Sequence, residues 1–121
     1  MSASLFPGAT PHPSGFQQVS PLDVKDRLGE LRLIDVREPD EFVGALGRVS
    51  GAELVPLGGV DGAARSWSRE APLLVICRSG GRSGRAATAL AGMGFTRVYN
   101  LTGGMLLWNE LGYPVVTGPV G

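Results

Sequence analysis

"PLLVICRSGGRSGRAATALAGMGF", residues 72–95, runs from an apolar stretch through a Gly/Ser/Arg-rich turn into residues spaced as on a helix. The continuous run Leu73–Ile76 predicts a strand buried on both faces, the environment of a central parallel sheet. Ala86, Ala89, Leu90 and Met93 recur at helical intervals, and Gly94 is placed to end that helix. Cys77, the sole cysteine, stands at the junction of strand and turn.

The same strand–turn–helix unit repeats on either side. "VSPLDVKDRLGE" predicts a helix capped by Ser20, with Pro21 at its first position and Gly29 at its end. "LRLIDV" predicts a strand ending at Asp35, and "REPDEFVGAL" a loop entering a short helix. "AELVPL" reads as a short strand stopped by Pro56 and the Gly58–Gly59 pair, and residues 59–70 are ambiguous, with one helical turn around Ala63 and Ala64. "RVYNL" predicts a last strand. "GGMLLWNELGY" predicts a helix with Leu106 or Leu107, and Trp108, toward the core. Trp67 is expected at the surface or an edge. This alternation predicts an α/β fold, a parallel sheet with helices on both faces, in which ligands bind beyond the strand C-termini. Cys77 and Asp35 both lie at such ends.

Composition narrows the function. A chain of 121 residues suits one domain, and 43% apolar with 18% charged residues is globular rather than disordered. Formal charge balances to zero, so no nucleic-acid partner is expected, and no apolar run reaches the ~18 residues of a membrane span. The N-terminus lacks the basic start and apolar stretch of a secretory signal, and a lone cysteine suits a reducing compartment, so a cytoplasmic location is expected. One Cys and one His make no structural zinc set, and the chemistry expected here needs no cofactor. Three of nine prolines fall within residues 1–15, which reads as a flexible tail ahead of a domain over 16–117 and a short C-terminal tail over 118–121.

The turn after Cys77 carries the chemistry. Arg78, Ser79, Gly80, Gly81, Arg82 and Ser83 precede a helix. Backbone N–H groups of such a loop form an anion cradle, glycines permit the bend, and the helix N-terminus adds unpaired donors. A free cysteine has a pKa of ~8.5, and helix N-termini or cations lower it to ~3.5–7.5. Cys77 is therefore a candidate nucleophile, and the arginines suggest a small anionic substrate. A buried packing cysteine needs no such cradle.

Taken in order, "LIDVREPDEF", "GAELVPL", "PLLVICRSGGRSGRAATAL" and "GFTRVYNLTGGMLLWNELGYPV" resemble the motifs of rhodanese-like sulfurtransferases from about residue 17 to 116. The resemblance implies a three-layer α/β fold around a mostly parallel, five-stranded sheet. It implies a thiosulfate sulfurtransferase in which Cys77 becomes a persulfide. Sulfur would come from a small anionic donor such as thiosulfate and pass to a thiophilic acceptor, cyanide or a thiol. It further implies that residues 78 to 83 bind the anion, with Arg82 meeting the sulfonate. Asp35 and Arg37 match the family's D-x-R and have a supporting role, either as an ion pair or in shaping the loop. Glu41 reads as scaffold or surface, and Gly103-Gly104-x-x-x-Trp108 as packing. Where the family has G-H-I-P-G-A, this chain has Gly47-Arg48-Val49-Ser50-Gly51-Ala52, and Arg48 either extends the positive field or faces solvent. Two alternatives stand beside this reading: a persulfide carrier or interaction module serving a sulfur-accepting protein, and a Cys-based phosphatase or arsenate reductase. The last needs arginine after five intervening residues, and Arg82 arrives one position early.

Overall fold

The computed structural model describes residues 5–120. Six strands form one sheet: β1 Thr10–Pro11, β2 Gln17–Val19, β3 Arg32–Asp35, β4 Glu53–Leu54, β5 Leu73–Ile76 and β6 Val98–Leu101. Their order is β1-β2-β6-β5-β3-β4, and every pairing is parallel except β1 with β2. The expected five-stranded sheet is present, with two-residue β1 added at its edge. Five helices accompany it among the described residues: α1 Pro21–Val24, α2 Pro39–Phe42, α3 Val60–Ala64, α4 Gly81–Gly92 and α5 Gly104–Glu110.

Strand β5 divides the interior. Alternate residues of a strand face opposite sides. Leu73, Val75 and Cys77 accordingly join the core beneath α3 and α4, while Leu74 and Ile76 join the core beneath α1 and α5. On α4 the buried residues are Ser83, Ala86, Ala87 and Leu90, mostly small side chains that let the helix lie close to the sheet. Cys77 thus continues the α4-facing row of β5.

Several local expectations change. Helix α1 begins as read, with Ser20 and Asp23 forming its capping box and Pro21 in the first turn, but it ends at Val24, and Leu28–Glu30 forms a separate 3₁₀ turn around Gly29. Val24, Leu28 and Leu31 all meet the same core, and the chain reaches it in successive tight turns. On α5 the buried residues are Gly104, Met105 and Trp108, while Leu106 is exposed. Trp67 is buried, edge-on to Phe95 and covered by the Arg32 guanidinium at 4.4 Å.

The expected N-terminal tail is largely anchored. Residues 1–4 lie outside the described residues, but Phe6 is buried edge-on to Tyr99, 5.1 Å between ring centres, and Thr10–Pro11 pairs with β2. The correction follows from apolar burial and pairing: a proline-rich stretch without periodicity still docks through Phe6, with Leu5 and Ala9 against the same core. Of the expected C-terminal tail, Gly121 lies outside the described residues, and the Gly118 carbonyl accepts from Arg48 Nη1 at 2.8 Å. Arg48 is itself buried, donates to the Phe42 carbonyl and stacks on the Phe42 ring at 4.9 Å. It therefore does not face solvent, and its guanidinium is held at the end of α2 by main-chain carbonyls.

Asp35 and Arg37 form a fully buried ion pair at the end of β3, with Arg37 Nε and Nη2 on the two carboxylate oxygens at 2.9 and 2.7 Å. The same guanidinium donates to the Glu41 and Gly47 carbonyls, which fixes the path of the chain through α2. Removing one member of a buried pair leaves an uncompensated charge and costs about 3–5 kcal/mol. Arg37→Met is expected to lower unfolding free energy by that amount in urea titration. A loss under about 1 kcal/mol would show that the pair does not hold the strand end.

Candidate active site

The loop from Cys77 to Ser83 joins β5 to α4 and folds around the cysteine sulfur. The Gly80 N–H donates to Cys77 Sγ at 3.0 Å, and the Ser83 hydroxyl lies 3.3 Å from the same atom. Main-chain N–H groups of Ser83, Gly80 and Ser79 all favour the thiolate. Burial is the largest influence and pushes the thiol up, since the residue is 1% exposed. The Ser83 hydroxyl and the three amides together outweigh it, and the net shift is downward. The sulfur is covered, yet by donors rather than by hydrocarbon alone.

The start of this loop is held from a different element. Met105 N donates to the Cys77 carbonyl at 2.9 Å and Leu106 N to the Arg78 carbonyl at 3.0 Å. Holding the Arg78 carbonyl from the first turn of α5 orients the Ser79 N–H, one of the three amides that favour the thiolate. Gly104 makes this approach possible. It has φ +53°, and a Cβ there would lie 2.6 Å from the Arg78 carbonyl carbon. Gly80, at φ +105°, supplies the left-handed turn into α4. The Gly103–Gly104 pair, read from the sequence as packing, therefore positions the loop.

Ser83 is held by a residue the sequence reading passed over. Its single hydroxyl proton has two acceptors in reach, Cys77 Sγ and Asn100 Oδ1 on β6. Asn100 Nδ2 donates to Gln18 Oε1 at 2.8 Å and to the Gly80 carbonyl at 3.2 Å. Asn100 is 3% exposed. A polar residue in the buried strand "VYNL" was the available signal.

Arg82 departs most from expectation. Its Nη1 and Nη2 donate to Glu41 Oε1 and Oε2 at 2.7 and 2.8 Å, a bidentate bridge from α4 to α2. That bridge holds the Glu41 carboxyl at about 2 and moves Arg82 further up. Arg78 and Ser79 are exposed, as are Gly81 and Arg85. A cleft of about 250 Å³ runs between α2 and the loop, lined by Arg37, Asp40, Glu41, Leu46 and Arg78 among others. Parallel pairing of β3 with β5 sets Asp35 opposite Ile76, the residue before Cys77. Asp35 and Arg37 are both buried, and Arg37 Nη1 donates to the Glu41 carbonyl beside the cleft. Among the described residues, no group of His, Cys, Asp and Glu side chains could hold a metal ion, and no helix is long and apolar enough to cross a membrane.

The rhodanese-like domain family matches residues 20–111. Among curated proteins, the chain is 36% identical over 96 residues to the thiosulfate sulfurtransferase GlpE of Ectopseudomonas mendocina, covering 78% of this chain and 86% of that protein. It is 42% identical over 77 residues to the uncharacterized protein YqhL of Bacillus subtilis, covering 64% of this chain and 60% of that one. Among solved structures, a rhodanese-related protein from Thermoplasma volcanium superposes with a TM-score of 0.74 at 29% identity, covering 82% of this chain and 96% of that one.

Two substitutions test the site's construction. Ser83→Ala removes a donor that favours the thiolate and leaves burial opposing it, so the pH midpoint for iodoacetamide alkylation of Cys77 should rise. An unchanged or lower midpoint would show that the hydroxyl does not stabilise the anion. Gly104→Ala should disturb the Cys77 and Arg78 carbonyls and raise the same midpoint; wild-type titration in a folded variant would remove α5 from the account.

Proposed function

As a member of the rhodanese-like family, this chain is one that we propose to be a sulfurtransferase working through a Cys77 persulfide. The observation that carries the proposal is the convergence of the Gly80 amide and the Ser83 hydroxyl on a single sulfur whose thiol is shifted toward ionisation. A thiolate so held attacks the outer sulfur of a sulfane donor. With thiosulfate, the S–S bond to the sulfonate breaks, its electron pair leaves with sulfite, and the protein retains Cys77–S–S⁻. An acceptor nucleophile then attacks the terminal sulfur. Cyanide departs as thiocyanate, or a thiolate departs as its persulfide, and the Cys77 thiolate is regenerated. This is covalent catalysis in two displacements.

The loop amides serve both states, because the terminal sulfur of the persulfide is also an anion and requires donors fixed in advance. Ser79, Gly80 and Ser83 supply them. Arg78 is exposed at the edge of the cleft and meets an incoming anion first. Nothing in this scheme calls for a metal or cofactor. A reducing compartment such as the cytoplasm suits an unpaired thiol.

The phosphatase reading is less well supported. It requires a free guanidinium fork to clamp a tetrahedral oxyanion. The end of the Arg82 fork is occupied by Glu41.

Incubation with thiosulfate should add the mass of one sulfur atom to the protein, and peptide mapping should place it on Cys77. Cys77→Ser should show no adduct and retain less than about 10⁻³ of the cyanide-dependent turnover while unfolding at the same temperature. Absence of the adduct in the wild-type protein, or hydrolysis of an aryl phosphate at a comparable rate, would overturn the proposal.

A further inference from the structure

We infer that Glu41 is a specificity-determining residue: by neutralising Arg82 beside the cysteine loop, it makes the site favour monoanionic sulfane-sulfur donors, such as persulfides and thiosulfonates, over dianionic thiosulfate. This rests on the sulfur-transfer reading and deepens it by naming the charge class of the donor.

The argument begins with what Arg82 can offer. A free guanidinium at the loop is a full positive charge with two open forks. Here the outer fork is closed by both oxygens of one carboxylate. The pair keeps N–H donors to spare, including Nε–H, but carries no net charge. Arg82 therefore contributes hydrogen bonds to a donor without the long-range attraction that distinguishes a dianion from a monoanion.

Displacement of Glu41 by an arriving anion is resisted at three points. Glu41 Oε1 also accepts the Glu38 N–H at 3.0 Å, closing the first turn of α2. The Glu41 carbonyl accepts from Arg37 Nη1 at 3.2 Å, and Arg37 is locked to Asp35 in the interior. The carboxylate stays ionised at any pH at which the thiolate works, because Arg82 holds it at about 2. The side chain thus sits on a braced turn rather than on a mobile loop.

The rest of the neighbourhood does not restore a positive surplus. Arg37, Arg78 and Arg82 face the carboxylates of Asp35, Glu38, Asp40 and Glu41 around the cleft and the bridge. Arg85, one turn further along α4, is exposed and brings these groups to balance, while Arg48 lies outside the cleft lining, held by the Phe42 and Gly118 carbonyls. The Cys77 thiolate adds one more negative charge. A dianion approaching it gains the loop amides but meets repulsion that a monoanion feels half as strongly.

The test compares thiosulfate with methanethiosulfonate, which has the same sulfane sulfur but one charge fewer and leaves as a sulfinate. Cyanide is the acceptor in both assays. Glu41→Gln keeps the shape and an oxygen for Arg82 and Glu38 N while removing the charge. It is expected to raise kcat/KM for thiosulfate about three- to tenfold, chiefly through KM, and for methanethiosulfonate by about twofold or less. Its thiosulfate kinetics should also become steeper in ionic strength than the wild type's. Glu41→Asp, which keeps the charge, should retain the wild-type ratio of the two donors.

A Glu41→Gln protein in which both donors change by the same factor would overturn the inference, since a purely structural role predicts a common loss. If that variant does not fold, the wild type decides. An ionic-strength slope no steeper for thiosulfate than for methanethiosulfonate supports a site without positive surplus, and a markedly steeper fall for thiosulfate overturns it. Failure of both donors to load Cys77 would instead remove the sulfur-transfer reading itself.

Discussion

Two hydrogen bonds from the first turn of α5 to the carbonyls of Cys77 and Arg78 hold the cysteine loop in place. A peptide group has two ends, and fixing the carbonyl outward fixes the next N–H inward. Leu106 on the Arg78 carbonyl thereby orients the Ser79 N–H, and the Gly80 and Ser83 amides of the turn into α4 join it on the sulfur. Glycine is needed at position 104 because a side chain there would overlap the loop it supports. The thiol then experiences a contest between burial, which disfavours its ionised form, and directed donors, which favour it. The donors prevail because they are numerous and pre-placed.

The second support is a chain of charges leading from the interior to the loop. Asp35 holds Arg37, Arg37 holds the Glu41 backbone, and the Glu41 carboxylate holds Arg82. The inner pair is sealed and the outer pair is partly exposed, so the two contribute differently. A sealed pair has given up its hydration and is not a strong source of net stability, although losing either partner is costly. Its consequence here is geometric: it sets where α2 lies and hence which carboxylate reaches the loop. Arg48 does comparable work at the other end of α2, joining the Phe42 carbonyl to the C-terminal segment at Gly118.

Much of this molecule is legible in one dimension. The apolar run ending at Cys77, the glycine turn and the helical spacing beyond it define a strand–loop–helix unit, and repetition of that unit predicts a parallel sheet. These features are local, set by backbone geometry and by which face of an element meets the core. The candidate nucleophile is legible for the same reason, since the cradle that surrounds it is built largely from the six residues that follow it. The Asp35–Arg37 pair is equally local, two residues apart.

Other features depend on partners brought from far along the chain. Glu41 is 41 positions from Arg82, Asn100 is 17 from Ser83, and Tyr99 is 94 from the Leu5 amide that it receives. Sequence periodicity states that a residue is buried or exposed but not what it touches. Strand order and register decide that, and they result from global packing. So the sequence by itself determined the α/β class, the location of the candidate nucleophile and the amide-rich character of its loop. Only the tertiary structure decided that Arg82 is neutralised, that Arg48 and Trp67 are buried, and that the N-terminal segment docks through Phe6. Electrostatic and apolar contacts of that kind act through space, between elements that the sheet makes neighbours.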